Sequence, residues 1–231
     1  AGEGKKTYKY ISVGFTDNIF QLDSLIAKQV VRDLKPTKFE ELVLAISLNR
    51  PGPIKAGVTR EIRQLKLKKE VKFKVPQLSD TYGFPIYQEQ VMKIAMDLAG
   101  LTSVQADELR KAIAKKDISK VREIYETLTN KLVEIYGSEG KELARVILSL
   151  GEYAFNKSHA VAYAHITYFM AYFKINYPKL FYDIYLKHDT TILPTALYNL
   201  QALGFTIHPP KVNIGSSLAQ NTEEAEEKTY V

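Results

Sequence analysis

The chain of 231 residues carries a formal net charge of +6, 45% hydrophobic residues and no cysteine. It can therefore bury a sizeable core, while disulfides, thiolate metal sites and a cysteine nucleophile are excluded. Its first residues, "AGEGKKTYKY", are polar and no apolar run approaches the ~18 residues of a membrane span, so a soluble, cytoplasmic protein without a membrane partner is expected.

The positive charge is clustered. Eight Lys/Arg between Lys55 and Lys74 face only Glu61 and Glu70, and six between Arg110 and Arg122 face only Asp117. Such clusters suit a polyanion, since each neutralised phosphate releases condensed counterions; solvated Lys-rich helix faces are the competing reading.

The pattern along the chain is mainly helical. In "LKPTKFEELVLAISLNRPGP", Thr37 and Glu40 form a predicted capping box, and Phe39, Leu42, Val43 and Ile46 follow helical spacing. This helix is predicted to stop at "RPGP", where Pro51 disfavours helical backbone at Arg50. "LKLKKEVKFKV" alternates apolar and basic residues. That period of two predicts a short basic β-hairpin or extended segment near residues 65–75, with Lys66, Lys68 and Lys72 on its solvent face. "YQEQVMKIAMDLAG" reads as a helix closed by Gly100, and Thr102 or Ser103 caps the next one, "VQADELRKAIAKK". There Ala106, Leu109 and Ile113 form the predicted buried stripe, which turns Lys111 and Lys115 the other way.

Helices near 117–136 and 138–150 follow, separated by Gly137. Ser158 is the predicted cap of an aromatic helix reaching Tyr177, and a further helix is expected near 179–187. His159, Tyr163, Ile166, Met170, Phe173 and Tyr177 recur at alternating steps of four and three, a predicted inward-facing stripe headed by His159. At a helix N-terminus the backbone N–H groups and the dipole favour an anion, whereas a core histidine bonded to a carbonyl is the plainer alternative. Residues 216–231 read as an acidic, disordered tail or linker.

Two segments offer phosphate-binding chemistry. One places Asn156, Lys157, Ser158 and His159 consecutively; the other puts Arg110, Lys111, Lys115 and Lys116 on one helix, where they could line a triphosphate or a DNA backbone. Tyr153 and Phe155 present flat faces on which a base can stack, though core aromatics are the commoner use of such residues. Metal chemistry is poorly served: there is no D-x-D, and Asp17 and Asp23 lack metal-ligand spacing. The four histidines are scattered, and no G-x-S-x-G or Walker motif occurs. The residues suit binding a nucleotide better than transforming one.

Six segments then carry a resemblance. "FQLDS", "LKPTKFEELVLAISLNRPGP", "TYGFPIYQEQVMKIAMDLAG", "ADELRKAIAKK", "YAFNKSHAVAYAHITYFMAYFKINYP" and "GFTIHPPKVN" stand in the order found in bacterial replicative DNA polymerases of family C, the alpha subunit of DNA polymerase III. The resemblance covers residues 15 to about 215 and implies a multi-helix fingers domain over 1–215. Residues 1–14 would lead in from the palm side, and 179–215 would begin the connection to downstream helix-hairpin-helix and OB-fold modules. It implies that the catalytic aspartates, and the Mg²⁺ they bind, belong to a palm outside this stretch, so no catalytic residue and no metal ligand is expected here. The implied partners are template-primer DNA and dNTPs, with the sliding clamp and other replicase subunits engaged by regions outside it.

The resemblance also implies roles for residues. Arg110 and Lys111 match the basic pair of L-R-R-A-M-G-K-K, which helps hold the incoming triphosphate, with Lys115 beside them. Asn156, Lys157, Ser158 and His159 match N-K-S-H, expected near the nascent base pair. Tyr87, Gln88, Glu89 and Gln90 match Y-Q-E-Q, expected with Tyr153 and Phe155 to support the pocket. Arg50 matches the arginine of R-P-G-P, a pocket residue or only a helix terminus. Lys116, Lys66, Lys68 and Lys72 are candidates for the DNA backbone.

Departures from the family pattern bear on activity. Glu152, Ala154 and Ala114 stand where glycines are usual, Ile113 replaces a methionine, and Lys111 replaces an arginine whose bidentate contact it cannot reproduce. Two readings stay open: the fingers region of a DNA-directed DNA polymerase, or a non-catalytic DNA- or subunit-binding module from a divergent paralogue.

Overall fold

A computed structural model describes residues 2–209 and 229–230. Among them the chain forms twelve α-helices: α1 Gly2–Ser12, α2 Leu25–Leu34, α3 Phe39–Ser47, α4 Pro51–Lys55, α5 Val58–Lys68, α6 Gln88–Ala99, α7 Ser103–Ala114, α8 Arg122–Tyr136, α9 Ser138–Leu150, α10 Lys157–Asn176, α11 Pro178–His188 and α12 Leu193–Ala202. Two two-residue strands, β1 Thr206–Ile207 and β2 Thr229–Tyr230, pair in parallel. The mainly α expectation holds. Apart from 229–230, the predicted acidic tail lies outside the described residues.

Two apolar cores organise the molecule. The first gathers α1 to α5 and α10 around α3, whose residues Glu41 to Ser47 are all buried. The second joins α6 to α9 with Phe73, Val75 and Leu78. Val146 packs against both, so α9 ties the two cores at a seam. A small third cluster of Tyr182, Ala196 and Leu200 joins α11 to α12.

Several local expectations are corrected. Residues 65–75 form no hairpin: Leu65–Lys68 belong to α5, which Lys69 ends in the left-handed region (φ 56°), with Glu70 N donating to Leu65 O at 2.9 Å. Buried Val58 and Ile62 and half-buried Leu65 set a helical period that the short Leu65/Leu67 alternation obscured, and Leu67 is exposed. Alternation does govern residues 72–75, where Phe73 and Val75 are buried between exposed Lys72 and Lys74.

Pro51 not only closes off α3 but opens α4 at its first turn, where its missing N–H costs nothing. Thr37 makes no capping box. The N-cap is Lys38, and the Thr37 hydroxyl donates instead to Glu41 Oε1 at 3.2 Å. α10 is capped by Asn156, whose Oδ1 accepts from His159 N at 2.9 Å, rather than by Ser158.

The largest correction concerns α10. Its buried face is Ala160, Ala164, Thr167, Ala171, Lys174 and Ile175, whereas His159, Ile166, Phe173 and Tyr177 are exposed. Both stripes repeat at the same period, so spacing alone could not choose between them. Close packing of α10 on the buried α3 selects small side chains, because bulky rings would hold the two backbones apart. The rings pair with one another along the outer face instead, as in His159–Tyr163 (4.1 Å between centres) and Phe173–Tyr177 (6.2 Å).

Candidate functional site

At the seam two segments distant in sequence run side by side. Tyr87 and Phe155 form an isolated parallel bridge, with Phe155 N donating to Ile86 O (3.0 Å) and Gln88 N to Phe155 O (2.9 Å). Both α6 and α10 begin within two residues of this bridge. Gln90 locks the turn: its Oε1 accepts from the N–H groups of Ile86 (3.0 Å) and Tyr87 (2.9 Å), while its Nε2 donates to Asp80 Oδ1 (2.9 Å) and Thr81 Oγ1 (2.8 Å). Tyr87 is buried, which pushes its phenol well above the ordinary tyrosine range against the opposing Ser47 hydrogen bond. Tyr87 and Gln90 are thus structural parts of the joint.

The cations gather around it. Lys157 Nζ reaches Asp80 Oδ2 at 2.6 Å and lies 5.5 Å from the centre of the Tyr87 ring. Arg110 donates to Asp107 Oδ1 through Nε (3.1 Å) and Nη2 (2.8 Å), and through Nη1 to Gln88 Oε1 at 3.4 Å. Since Gln88 Nε2 also donates to Ala154 O (3.4 Å), one amide connects Arg110 to the stretch that leads into N-K-S-H. Lys111 Nζ sits 2.6 Å from Asp107 Oδ2, and hydrogen bonds from Lys111 and then Arg110 hold the Asp107 carboxyl below its usual range.

Arg50 stacks on Phe155, its guanidinium 4.8 Å from the ring centre. Burial pulls the pKa of this guanidinium down, and among the described residues no carboxylate pairs with it. It is therefore an unneutralised cation beside the joint.

The first turn of α10 is not an open anion site. Glu89 accepts the Lys157 N–H through both oxygens (3.3 and 3.1 Å), and Asn156 Oδ1 accepts from the His159 N–H and from the Ser158 hydroxyl, each at 2.9 Å. The cationic groups still presented here are therefore on side chains rather than at the helix terminus. The His159 ring lies between Phe155 (5.8 Å) and Tyr163 (4.1 Å), so Phe155 and His159 offer stacking surfaces. Tyr153 is half-buried against the first core, and a Cβ at Gly52 would fall 2.2 Å from its ring, so this close approach calls for glycine there.

The replaced glycines fit. Ala154 is extended (φ −60°, ψ 130°), a conformation open to any residue. The Glu152 carboxylate is neutralised by Lys116. Lys115 and Ala114 are exposed at the end of α7. Of the remaining lysines, Lys68 is exposed and Lys72 pairs with Glu61 (2.7 Å). Lys66 is spent on the buried Glu41 and on Lys35 O (2.8 Å).

Sequence reasoning missed two groups, Asp107 and Asp80. Asp107 stands three and four residues before Arg110 and Lys111, spacing that could have revealed it. Asp80 is 77 residues from Lys157 and left no such signal. Among the described residues no group of three His, Cys, Asp or Glu side chains could hold a metal ion, and no helix is long and apolar enough to cross a membrane.

Comparison with known proteins places this geometry in a family. The profile of the bacterial DNA polymerase III alpha subunit finger domain matches residues 2–135. DNA polymerase III subunit alpha of Thermotoga maritima is 38% identical over 91% of this chain and 25% of its own length. The subunit of Aquifex aeolicus is 38% identical over 90% of the chain and 19% of its length, and that of Thermus aquaticus 34% over 90% and 18%. The chain thus spans a quarter or less of these relatives. By the matched profile and these relatives, the chain belongs to the finger-domain family of the bacterial DNA polymerase III alpha subunit.

Proposed function

We propose that the chain serves as the fingers of a DNA-directed DNA polymerase and holds the triphosphate of the incoming nucleotide against template-primer DNA. The observation that carries this is the meeting of Arg50, Arg110 and Lys157 around the Tyr87–Phe155 bridge, with Lys111 beside Arg110 on the shared Asp107 carboxylate and with Phe155 and His159 beside the bridge. Arg110 and Lys111 would take the phosphates and Arg50 a further oxygen. Phe155 and His159 would lie against the base.

In the reaction the primer 3′-hydroxyl attacks the α-phosphorus, its proton passes to a base outside this chain, and pyrophosphate leaves. Positive groups at the triphosphate stabilise the charge that builds on the leaving group. Polymerases of this family imply a divalent metal, Mg²⁺, for which the described residues form no site; it would be bound by residues outside this chain. Exposed Lys115 would lie beside the triphosphate pair, and Lys68, Lys72 and Lys116 would follow the DNA backbone; Lys66, held by Glu41, is left out of that surface. Clamp and replicase partners would be engaged by regions outside the described residues, in the cytoplasm.

The test is primer extension by the full-length polymerase with Mg²⁺. Arg110→Ala should raise the KM for dNTP at least tenfold, an order-of-magnitude expectation for losing a charged hydrogen-bonding group, while leaving primed-DNA affinity within about twofold. Lost DNA affinity with unchanged nucleotide kinetics would reject the assignment. Failure of the unaltered polymerase to extend a primer would instead favour a non-catalytic binding module.

A further inference from the structure

All the cations named for the site except Arg50 and the exposed Lys115 are paired: Asp107 holds both Arg110 and Lys111, Asp80 holds Lys157, and Glu152 holds Lys116. Asp107 differs from the other two in gripping two cations with its two oxygens, Oδ1 on Arg110 and Oδ2 on Lys111. All three residues lie on one turn of α7, so exchanging partners needs only side-chain rotation and no movement of backbone. The carboxylate is partly open to solvent, its side chain 35% exposed, whereas Arg110 is anchored a third time on Gln88. Arg110 therefore keeps its aim toward the joint when Asp107 lets go.

We propose that Asp107 is an internal competitor for ligand phosphate, occupying Arg110 and Lys111 when the site is empty and returning to them as a phosphate ligand leaves. This rests on the reading of Arg110 and Lys111 as triphosphate ligands and adds a regulating residue to that site. The physical logic lies in the weakness of the pairs. Partly exposed ion pairs along a helix are individually weak, so a triphosphate that engages several cations at once displaces the carboxylate. A carboxylate tethered on the same turn is nonetheless at high effective concentration, so it recaptures the cations promptly and speeds the release of whatever anion occupied them. The cost is a uniform loss of anion affinity. The gain is that the site neither captures stray phosphate tightly nor retains a polyphosphate product.

Asp107→Asn isolates the effect, since the amide oxygen can still accept from Arg110 Nε and Nη2 while the charge is gone. Titration of the 231-residue chain with inorganic triphosphate, by calorimetry at two salt concentrations, should show Asp107→Asn binding about fivefold tighter than the unaltered chain, the change that releasing two ordinary helical ion pairs corresponds to. The variant should also show slower dissociation and a steeper salt dependence, because two freed cations then surrender bulk counterions on binding. Asp107→Glu, which restores a carboxylate within reach, should return affinity and salt slope to those of the unaltered chain. Equal or weaker binding by Asp107→Asn would overturn the inference and leave Asp107 as a positioning residue for Arg110. Arg110→Ala separates the two ideas: if it binds triphosphate as well as the unaltered chain does, the phosphate is not held at Arg110, and the nucleotide reading falls together with this one.

Discussion

Lys174 offers a test of how the first core is held together. Its side chain is fully buried on α10, yet Nζ donates to the Asp17 carbonyl at 2.7 Å and lies 4.3 Å from the centre of the Phe15 ring. Desolvation by burial lowers its pKa from 10.5 to about 7; the neighbouring Lys28 acts in the same direction, while the Asp17 and Asp23 carboxylates oppose it. The Asp17 carboxylate, bonded by Lys28 and Asn199, is itself held below its usual range and stays ionised throughout.

The sign of the linkage follows from the lowered folded-state value. Below about pH 7 the amine is charged in both folded and unfolded chains and adds no pH dependence. Between about 7 and 10.5 it is neutral when folded and protonated when unfolded, so folding releases a proton and stability rises with pH. Integrated from pH 7 to pH 9, a folded-state pKa near 7 contributes about 2 kcal/mol. Lys174→Met removes this group while keeping an unbranched apolar stem, and other titrations cancel in the difference between the two proteins. Urea denaturation followed by circular dichroism should therefore show the stability of the unaltered chain rising relative to Lys174→Met by about 2 kcal/mol over that interval. A difference that stays constant with pH would refute a buried, neutral amine at this position.

Two further outcomes follow from packing and charge. Lys66→Met leaves the Glu41 carboxylate, 3% exposed, without its cation, and should cost about 3–5 kcal/mol in the same denaturation assay, as breaking a buried pair from one side does. Gly52→Ala forces a methyl group to 2.2 Å from the Tyr153 ring and should destabilise by about 1–3 kcal/mol, with a shift in tyrosine near-ultraviolet circular dichroism that a solvent-exposed substitution such as Ala114→Gly does not produce.

Helix existence was legible in the sequence wherever one period dominated. The stripe Ala106, Leu109, Ile113 and the stops at Gly100 and Gly137 appear where spacing and glycine place them. The failures have a common cause. On α10 two stripes share one period, and only the proximity of α3 decides that alanines rather than rings turn inward. At residues 65–68 the local alternation mimicked a strand, while the helix was set by Val58 and Ile62 further back. Caps misread by one or two residues, such as Ser158 for Asn156, reflect competition between neighbouring polar side chains for the same N–H groups. In the candidate site the cations were legible and their partners mostly were not. A run of Lys and Arg announces itself, whereas Asp80 and Glu89 reach the N-K-S-H segment across 77 and 68 residues.

Those long separations say how the site is made. Neither the α6 segment nor the start of α10 carries it alone: Gln88 belongs to one, Phe155 and Lys157 to the other, and Arg110 arrives on α7 from the second core. The pieces meet only when the two cores dock through α9, so docking aligns the cations and sets their counter-charges in the same step. Arg110, Lys111, Lys116 and Lys157, like charges brought to one seam, would repel one another, and the carboxylates of Asp107, Glu152 and Asp80 relieve that repulsion. The acidic partners are therefore a requirement of bringing cations from two cores to one seam. Arg50 lies against the face of Phe155 and, among the described residues, pairs with no carboxylate, so it brings an unneutralised charge to the seam.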